Sequence, residues 1–176
     1  MNALGNRLVQ LAHRLKRPLL LTALVALPLV YAPLSKFSDN HALLINASPS
    51  LPNWAFWLDK NFTPTRGALI FFEPPRSELL TYHFGEKPQI FGKRILGMPG
   101  DEVRHVGSKV FINDKHVAQT KPRSRKGTPL TKGPEGIVPS SCYYVGTHHT
   151  HGFDSRYGEI GFICAPRIIG TGRAIL

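Results

Sequence analysis

Apolar residues follow two different patterns along the chain, and the change falls near residue 35. Positions 18–34, PLLLTALVALPLVYAPL, run seventeen residues without a charge. A membrane-spanning helix takes ~17–25 apolar residues, so this stretch predicts one at the short end of the range. Pro18 suits a first helical turn, Pro28 predicts a kink, and Pro33 predicts an end close by. Upstream, Leu4, Leu8, Leu11 and Leu15 repeat at helical spacing while Arg7, Arg14 and Arg17 fall on the other face. That predicts a basic amphipathic lead-in over residues 1–17. Beyond residue 35 the apolar runs become short and are broken by Gly, Pro, Asn and Asp. They predict strands at His41–Asn46, Ala68–Glu73, Gln89–Leu96, Lys109–Ile112, His116–Gln119, Cys142–Val145, Ile160–Cys164 and Arg167–Thr171. Asn113-Asp114 between two of these reads as a tight hairpin turn. Trp54–Asp59 reads as one helical turn, and no longer helical period follows residue 40. Residues 120–136, polar and rich in Pro and Gly, read as a mobile basic loop. The expected class is mainly β: one N-terminal transmembrane helix, then a compact antiparallel domain over residues 35–176.

Charge sharpens this division. The chain carries 22 Lys+Arg against 11 Asp+Glu, a formal net charge of +11. Four of those basic groups, with no acid, lie in residues 1–17, and eight, against Asp114 alone, lie in residues 104–132. Positive charge ahead of the apolar run predicts a cytoplasmic N-terminus and an exported C-terminal domain. A cleaved signal peptide shares the basic start and apolar middle, and Val30-Tyr31-Ala32 imitates a cleavage site. Pro33 would follow that cut, however, and the run is long for a signal peptide, so a retained anchor is the better reading. A buried core helix would not explain the charge asymmetry. The basic loop suits nucleic acid, acidic lipid, an acidic partner or plain solvent. No aromatic residue interleaves the charges of residues 121–132, which argues against nucleic acid. With 42% hydrophobic and 19% charged residues the chain is no disordered tail.

Two segments carry residue types suited to chemistry. In Asn46-Ala47-Ser48-Pro49-Ser50-Leu51-Pro52 the two prolines stiffen the backbone around Ser50. A stiff turn presenting one hydroxyl suits a nucleophile, and equally an ordinary Ser/Pro turn. In Gly92-Lys93-Arg94-Ile95-Leu96-Gly97-Met98-Pro99-Gly100-Asp101, Lys93 alternates on one strand face with Phe91 and Ile95. A lysine among apolar neighbours loses hydration, which lowers its pKa and makes a neutral general base available. The plain alternative is a lysine that snorkels to water. His148, His149 and His151 are ligand-type residues that Asp154 could join, but no nearby cysteine or paired carboxylate completes a set, so solvent-facing or hydrogen-bonding histidines are the better reading, with substrate contact as the alternative, and no metal site is expected. Cys142 and Cys164 lie in neighbouring predicted strands. A disulfide is allowed there in an oxidising compartment, and two small buried thiols are the alternative.

Taken together, these segments resemble the signal peptidase I family of serine–lysine peptidases. The boxes stand in the right order: the basic start and span, Ser50-Leu51-Pro52, Arg66-Gly67-Ala68-Leu69-Ile70-Phe71-Phe72, the lysine box, and Asp154-Ser155-Arg156. The resemblance implies Ser50 as nucleophile and Lys93 as its base. It implies an oxyanion hole from Ser48 and the backbone N–H of Ser50, and Asp154, Arg156 and Arg94 as residues bracing the site. It implies no cofactor, and a domain on the periplasmic side of the bacterial inner membrane. The single residue between Ser50 and Pro52 is similar to the TraF-type conjugative-transfer peptidases, which mature pilin subunits. The implied partners are therefore the lipid bilayer and a membrane-inserted pilin or preprotein, with a conjugative transfer apparatus nearby. Where many members have a serine that hydrogen-bonds the lysine, this chain has Gly152. The rival to a peptidase is a non-catalytic membrane component of a secretion or DNA-transfer complex that uses the basic loop. A serine–lysine self-cleaving regulator is disfavoured by the N-terminal span.

Overall fold

The computed structural model describes residues 22, 24–46, 51–61, 63–86 and 89–175. They divide into two units at Asn40/His41. In the first, residues 24–40 form one helix, α1. It runs on through Pro28 and Pro33 to residue 40, later than the expected end at residue 34. A proline costs its own N–H bond and crowds the preceding turn, but it does not by itself terminate a helix. The side chains of Leu24, Leu27, Leu29, Tyr31 and Leu34 are exposed along it. Among the described residues no helix is long and apolar enough to cross a membrane. The lead-in expected over residues 1–17, and the start of the span expected over 18–34, lie outside the described residues.

The second unit is built of antiparallel strands. Its main sheet contains β1 (His41–Ile45), β2 (Ala55–Asp59), β3 (Leu69–Phe72), β4 (Phe91–Gly97), β9 (Cys142–Gly146), β10 (Ile163–Cys164) and β11 (Ile168–Ala174). Their order across the sheet is β1-β2-β11-β3-β4-β9-β10. A smaller sheet, ordered β7-β6-β5-β8, contains β5 (Glu102–Val106), β6 (Lys109–Ile112), β7 (Lys115–Gln119) and β8 (Gly136–Ile137). The Asn113-Asp114 turn between β6 and β7 has both residues at positive φ, 46° and 65°, as the expected tight hairpin requires.

Strand β3 is apolar at every position because both of its faces are covered. Leu69 and Phe71 pack with Phe56 and Leu58, while Ile70 and Phe72 pack with Ile95, Val145 and Ile163. Strand β9 does the same: Tyr144 joins the small-sheet core of Val103, Val110 and Val138, and Val145 joins the main one. Each face of such a strand is a separate core, which is why continuous apolar runs mark central strands.

Four expectations are corrected. Trp54–Asp59 is not a helical turn but contributes β2, because Phe56 and Leu58 alternate into a core and its backbone pairs with β1 and β11. Strand β5 was unforeseen, its only wholly buried side chain being Val103 among charged neighbours. A short helix, α2 (Glu78–Phe84), also forms, with the Ser77 hydroxyl accepting from the Leu80 N–H at its start. Finally, residues 120–136 are tied down instead of running free. Ser124 N–H donates to Thr128 O, Leu130 N–H donates to Pro122 O, and Gly136–Ile137 pairs with β5.

Candidate active site

Lys93 sits in the middle of β4, opposite Ile70 of β3, and is 4% exposed. The strand's alternation puts it on the buried face with Ile95, and its Nζ lies 5.7 Å from the Phe91 ring centre. Burial is the main reason its pKa falls below the ordinary 10.5. Asp154 pulls the other way, and Arg156 adds to the lowering. Among the described residues Lys93 makes no side-chain hydrogen bond. Such an amine gives up its proton far more readily than a surface lysine, as a general base requires.

Ser48 and Ser50 lie outside the described residues, but the chain on both sides of them is placed. Asn46 Nδ2 donates to Leu51 O at 3.0 Å and to Asn53 O at 2.8 Å, and Asn46 N–H donates to Trp54 O at 2.8 Å. These bonds cinch the two ends of the 47–50 segment together. Leu51 then packs against β4 beside Lys93: a Cβ added to Gly92 would lie 3.0 Å from Leu51 Cδ1 and 2.8 Å from Phe71 Cε1. Gly92 is thus the close approach that lets the residue after Ser50 reach the residue before Lys93. Reading the sequence misses this clamp. Its only signal was an asparagine ahead of the Ser/Pro run, where a side-chain amide can bond nearby backbone.

Asp154 and Arg156 form a buried pair, 0% and 3% exposed. Arg156 donates from Nε to Asp154 Oδ1 at 2.7 Å and from Nη2 to Asp154 Oδ2 at 3.0 Å. It also donates from Nη2 to Thr147 O at 2.6 Å and from Nη1 to Gln119 O at 3.3 Å. Asp154 Oδ2 further accepts from the Thr147 N–H at 3.1 Å. Ser155 Oγ accepts from the Val145 N–H, and the Ser155 N–H donates to Val145 O. Asp154-Ser155-Arg156 therefore fastens the 147–156 segment to β9, and β9 is the neighbour of β4. Arg94 alternates to the other, exposed face of β4 and donates to Gly67 O at 3.0 Å. It holds the turn before β3 and does not reach the cleft. The end of the lysine box is stapled similarly. Asp101 accepts from Arg66 Nη2, the Met98 N–H and Asn113 Nδ2, and these contacts outweigh its burial to hold its carboxyl below the usual range.

Gly152 is enforced by its surroundings. A Cβ there would meet Thr147 Oγ1 at 2.5 Å and Asp154 Oδ2 at 2.9 Å. Thr147 Oγ1 is itself buried and without a hydrogen-bond partner among the described residues. The space that a side chain at position 152 would fill is thus occupied by the Thr147 hydroxyl. His149 and His151 share a side, with ring centres 6.0 Å apart, and His151 Nδ1 lies 3.2 Å from Lys121 Nζ. Asp154 is taken up by Arg156 and Thr147 and does not turn toward either histidine. Cys142 and Cys164 are partners across β9 and β10 and are joined by a disulfide.

Lys93, Leu51 and Gly92 open into a cleft of about 700 Å³. Its lining includes the apolar Leu44, Phe56, Phe71, Ile90 and Phe91 and the basic Lys121, Arg123, Arg125 and Lys126. The arrangement places a buried lysine beside Leu51, the described residue that follows Ser50, in the lining of one cleft.

Comparison with known proteins gives one family. The family model described as signal peptidase, peptidase S26, matches residues 15–176. Signal peptidase I U of Bacillus subtilis (strain 168) is 33% identical over 103 residues, 54% of this chain and 54% of its own. Signal peptidase I of Leptolyngbya laminosa is 29% identical over 107 residues, 61% of this chain and 50% of its own. The chain thus spans about half the length of these curated relatives. A solved signal peptidase I from Enterococcus faecalis V583 covers 62% of this chain and 97% of its own, at a TM-score of 0.38 and 23% identity. That similarity is too low to carry an argument.

Proposed function

The chain belongs to the signal peptidase family, peptidase S26, and we propose that it is a membrane-anchored serine endopeptidase working through Ser50 and Lys93. The supporting observation is the joint placement of the two boxes. Leu51, next to Ser50, packs on Gly92, next to Lys93, and Lys93 is buried with its pKa lowered. In this reading neutral Lys93 takes the Ser50 hydroxyl proton as the oxygen attacks a substrate carbonyl. The Ser48 hydroxyl and the Ser50 N–H hold the negative oxygen that forms. The Lys93 ammonium then protonates the departing amine, and water releases the acyl group by the same steps. Asp154 and Arg156 brace the segment beside the lysine. The span at residues 18–34 anchors the enzyme in the bacterial inner membrane, with its catalytic domain on the periplasmic side.

The substrate is a membrane-inserted precursor cut after small residues. The relatives named above are signal peptidases I, which favours preproteins in general. The short Ser50-Leu51-Pro52 spacing favours a pilin subunit of a conjugative apparatus, with ring closure as an added outcome. Incubating wild type, Ser50→Ala and Lys93→Ala with one precursor of each kind, read by mass spectrometry, tests all of this. Only wild type should cut, at one defined bond. A pilin product one water lighter than the cut chain would show capture of the acyl group by the pilin's own amine. Cutting by either variant would sink the dyad. Between pH 6 and 10, kcat/KM should rise along a limb set by Lys93, with its midpoint below 10.5. An activity flat across that range would remove Lys93 as the base.

A further inference from the structure

The cleft carries charge of one sign only. Lys121, Arg123, Arg125, Lys126 and Lys93 all line it, with His83, His149 and His151, and among the described residues no Asp or Glu does. Every recorded ion pair among the described residues uses Arg66, Arg104 or Arg156, so the four cations of the wall face no carboxylate. They are also held in position. Arg123 Nη1 donates to Gly127 O at 2.8 Å, Lys126 Nζ sits 4.8 Å from the Tyr82 ring centre on α2, and Lys121 Nζ lies against His151. Backbone bonds close the turn, from Ser124 N–H to Thr128 O and from Gly127 N–H to Ser124 O. The imidazoles register the crowding: His83 is lowered by burial and then by Lys126, and His151 by desolvation and then by Lys121, Arg125 and His149.

Arg123, Arg125 and Lys126 stay exposed to water, yet with Lys121 they line the same cleft as the apolar Leu44, Phe56, Phe71, Ile90 and Phe91, and a low-dielectric lining focuses the field of one-signed charge. What fits that space is an extended chain carrying carboxylates. We propose that residues 121–126 are a specificity wall, and that the substrate bears acidic side chains in the stretch crossing the cleft beside the bond that is cut. This rests on the peptidase reading and adds to it the chemical class of the substrate segment.

The test uses the full chain in detergent micelles. Labelled peptides with a small-residue cut site carry a Glu pair either before or after the cut, each with a Gln-pair counterpart. Binding is read by fluorescence anisotropy on the Lys93→Ala protein, which separates recognition from turnover. At one of the two placements the Glu peptide should bind on the order of tenfold more tightly than its Gln counterpart at low salt, and the gap should close as salt rises. Replacing Lys121, Arg123, Arg125 and Lys126 by Gln should bring the Glu/Gln ratio to near one, and the charge-keeping pair Lys121→Arg and Lys126→Arg should preserve it. If the fourfold variant does not fold, Arg123→Gln with Arg125→Gln should still lower the ratio. Equal binding of Glu and Gln peptides at both placements overturns the proposal. Equal peptide binding together with charge-dependent binding to phosphatidylglycerol vesicles also overturns it, and assigns the wall to lipid headgroups. Wild-type cleavage of the same peptides distinguishes the two levels. Cutting without a Glu preference sinks this inference alone, whereas no cutting of any peptide sinks the peptidase reading beneath it.

Discussion

Two cations lie buried in neighbouring parts of the same domain, and they are treated in opposite ways. Arg156, 3% exposed, is met by both oxygens of Asp154 and by the carbonyls of Thr147 and Gln119. Lys93, 4% exposed, has apolar neighbours and no hydrogen-bond partner among the described residues. A guanidinium stays protonated at any relevant pH, so its burial is tolerable only with partners fixed around it. An ammonium can escape the same penalty by losing its proton. The first arrangement stores no chemistry and fixes a loop. The second leaves an amine whose proton is poised to leave, and it can be kept only on a strand rigid enough to withhold water.

The largest effect should come from breaking the satisfied pair. Arg156→Met leaves the Asp154 carboxylate buried and unpaired, and should cost about 3–5 kcal/mol in denaturant unfolding. A cost near zero would mean that the pair contributes nothing and that the contrast drawn here is empty. Next comes Gly152→Ser, which forces a side chain into the Thr147 hydroxyl and should cost about 1–3 kcal/mol. Adding Thr147→Ala should return part of that, measured as a double-mutant cycle; an additive result would show that the two positions do not compete for space.

The smallest effect has the opposite sign. The folded-state pKa of Lys93 lies below 10.5, so folding is penalised for as long as the amine is charged. That penalty is fully present below the folded-state pKa, shrinks as pH rises from there toward 10.5, and is absent above it. Lys93→Met should therefore stabilise the domain near pH 6, and the gain should fade in alkaline solution, while the proposed cutting is lost. Destabilisation of the variant at both ends of that range would show Lys93 to be a satisfied structural group like Arg156.

Most strands were legible because a sheet repeats every two residues and its apolar face declares itself locally. The hairpin at Asn113-Asp114 and the burial of Lys93 beside Ile95 follow from the same rule. Trp54–Asp59 was misread because five residues with two aromatics satisfy a helical turn as well as a strand, and only the backbone partners from β1 and β11 decide between them. Strand β5 carries Glu102, Arg104 and His105 at three of its five positions and so lacks an apolar signature. Arg94, which the resemblance implied as a bracing residue, follows Lys93 directly on β4 and so takes the opposite, exposed face.

By itself the sequence determined the alternation that puts Lys93 on one face with Ile95, the unequal distribution of charge and the strand positions of the two cysteines. Tertiary structure alone decided that Leu51 meets Gly92, that Arg156 finds the carbonyls of Thr147 and Gln119, and that the basic loop forms a wall of the cleft. Periodicity is a property of neighbours in the chain, whereas these contacts join residues nine or more positions apart. They depend on strand order, register and the places where a missing Cβ lets two backbones close.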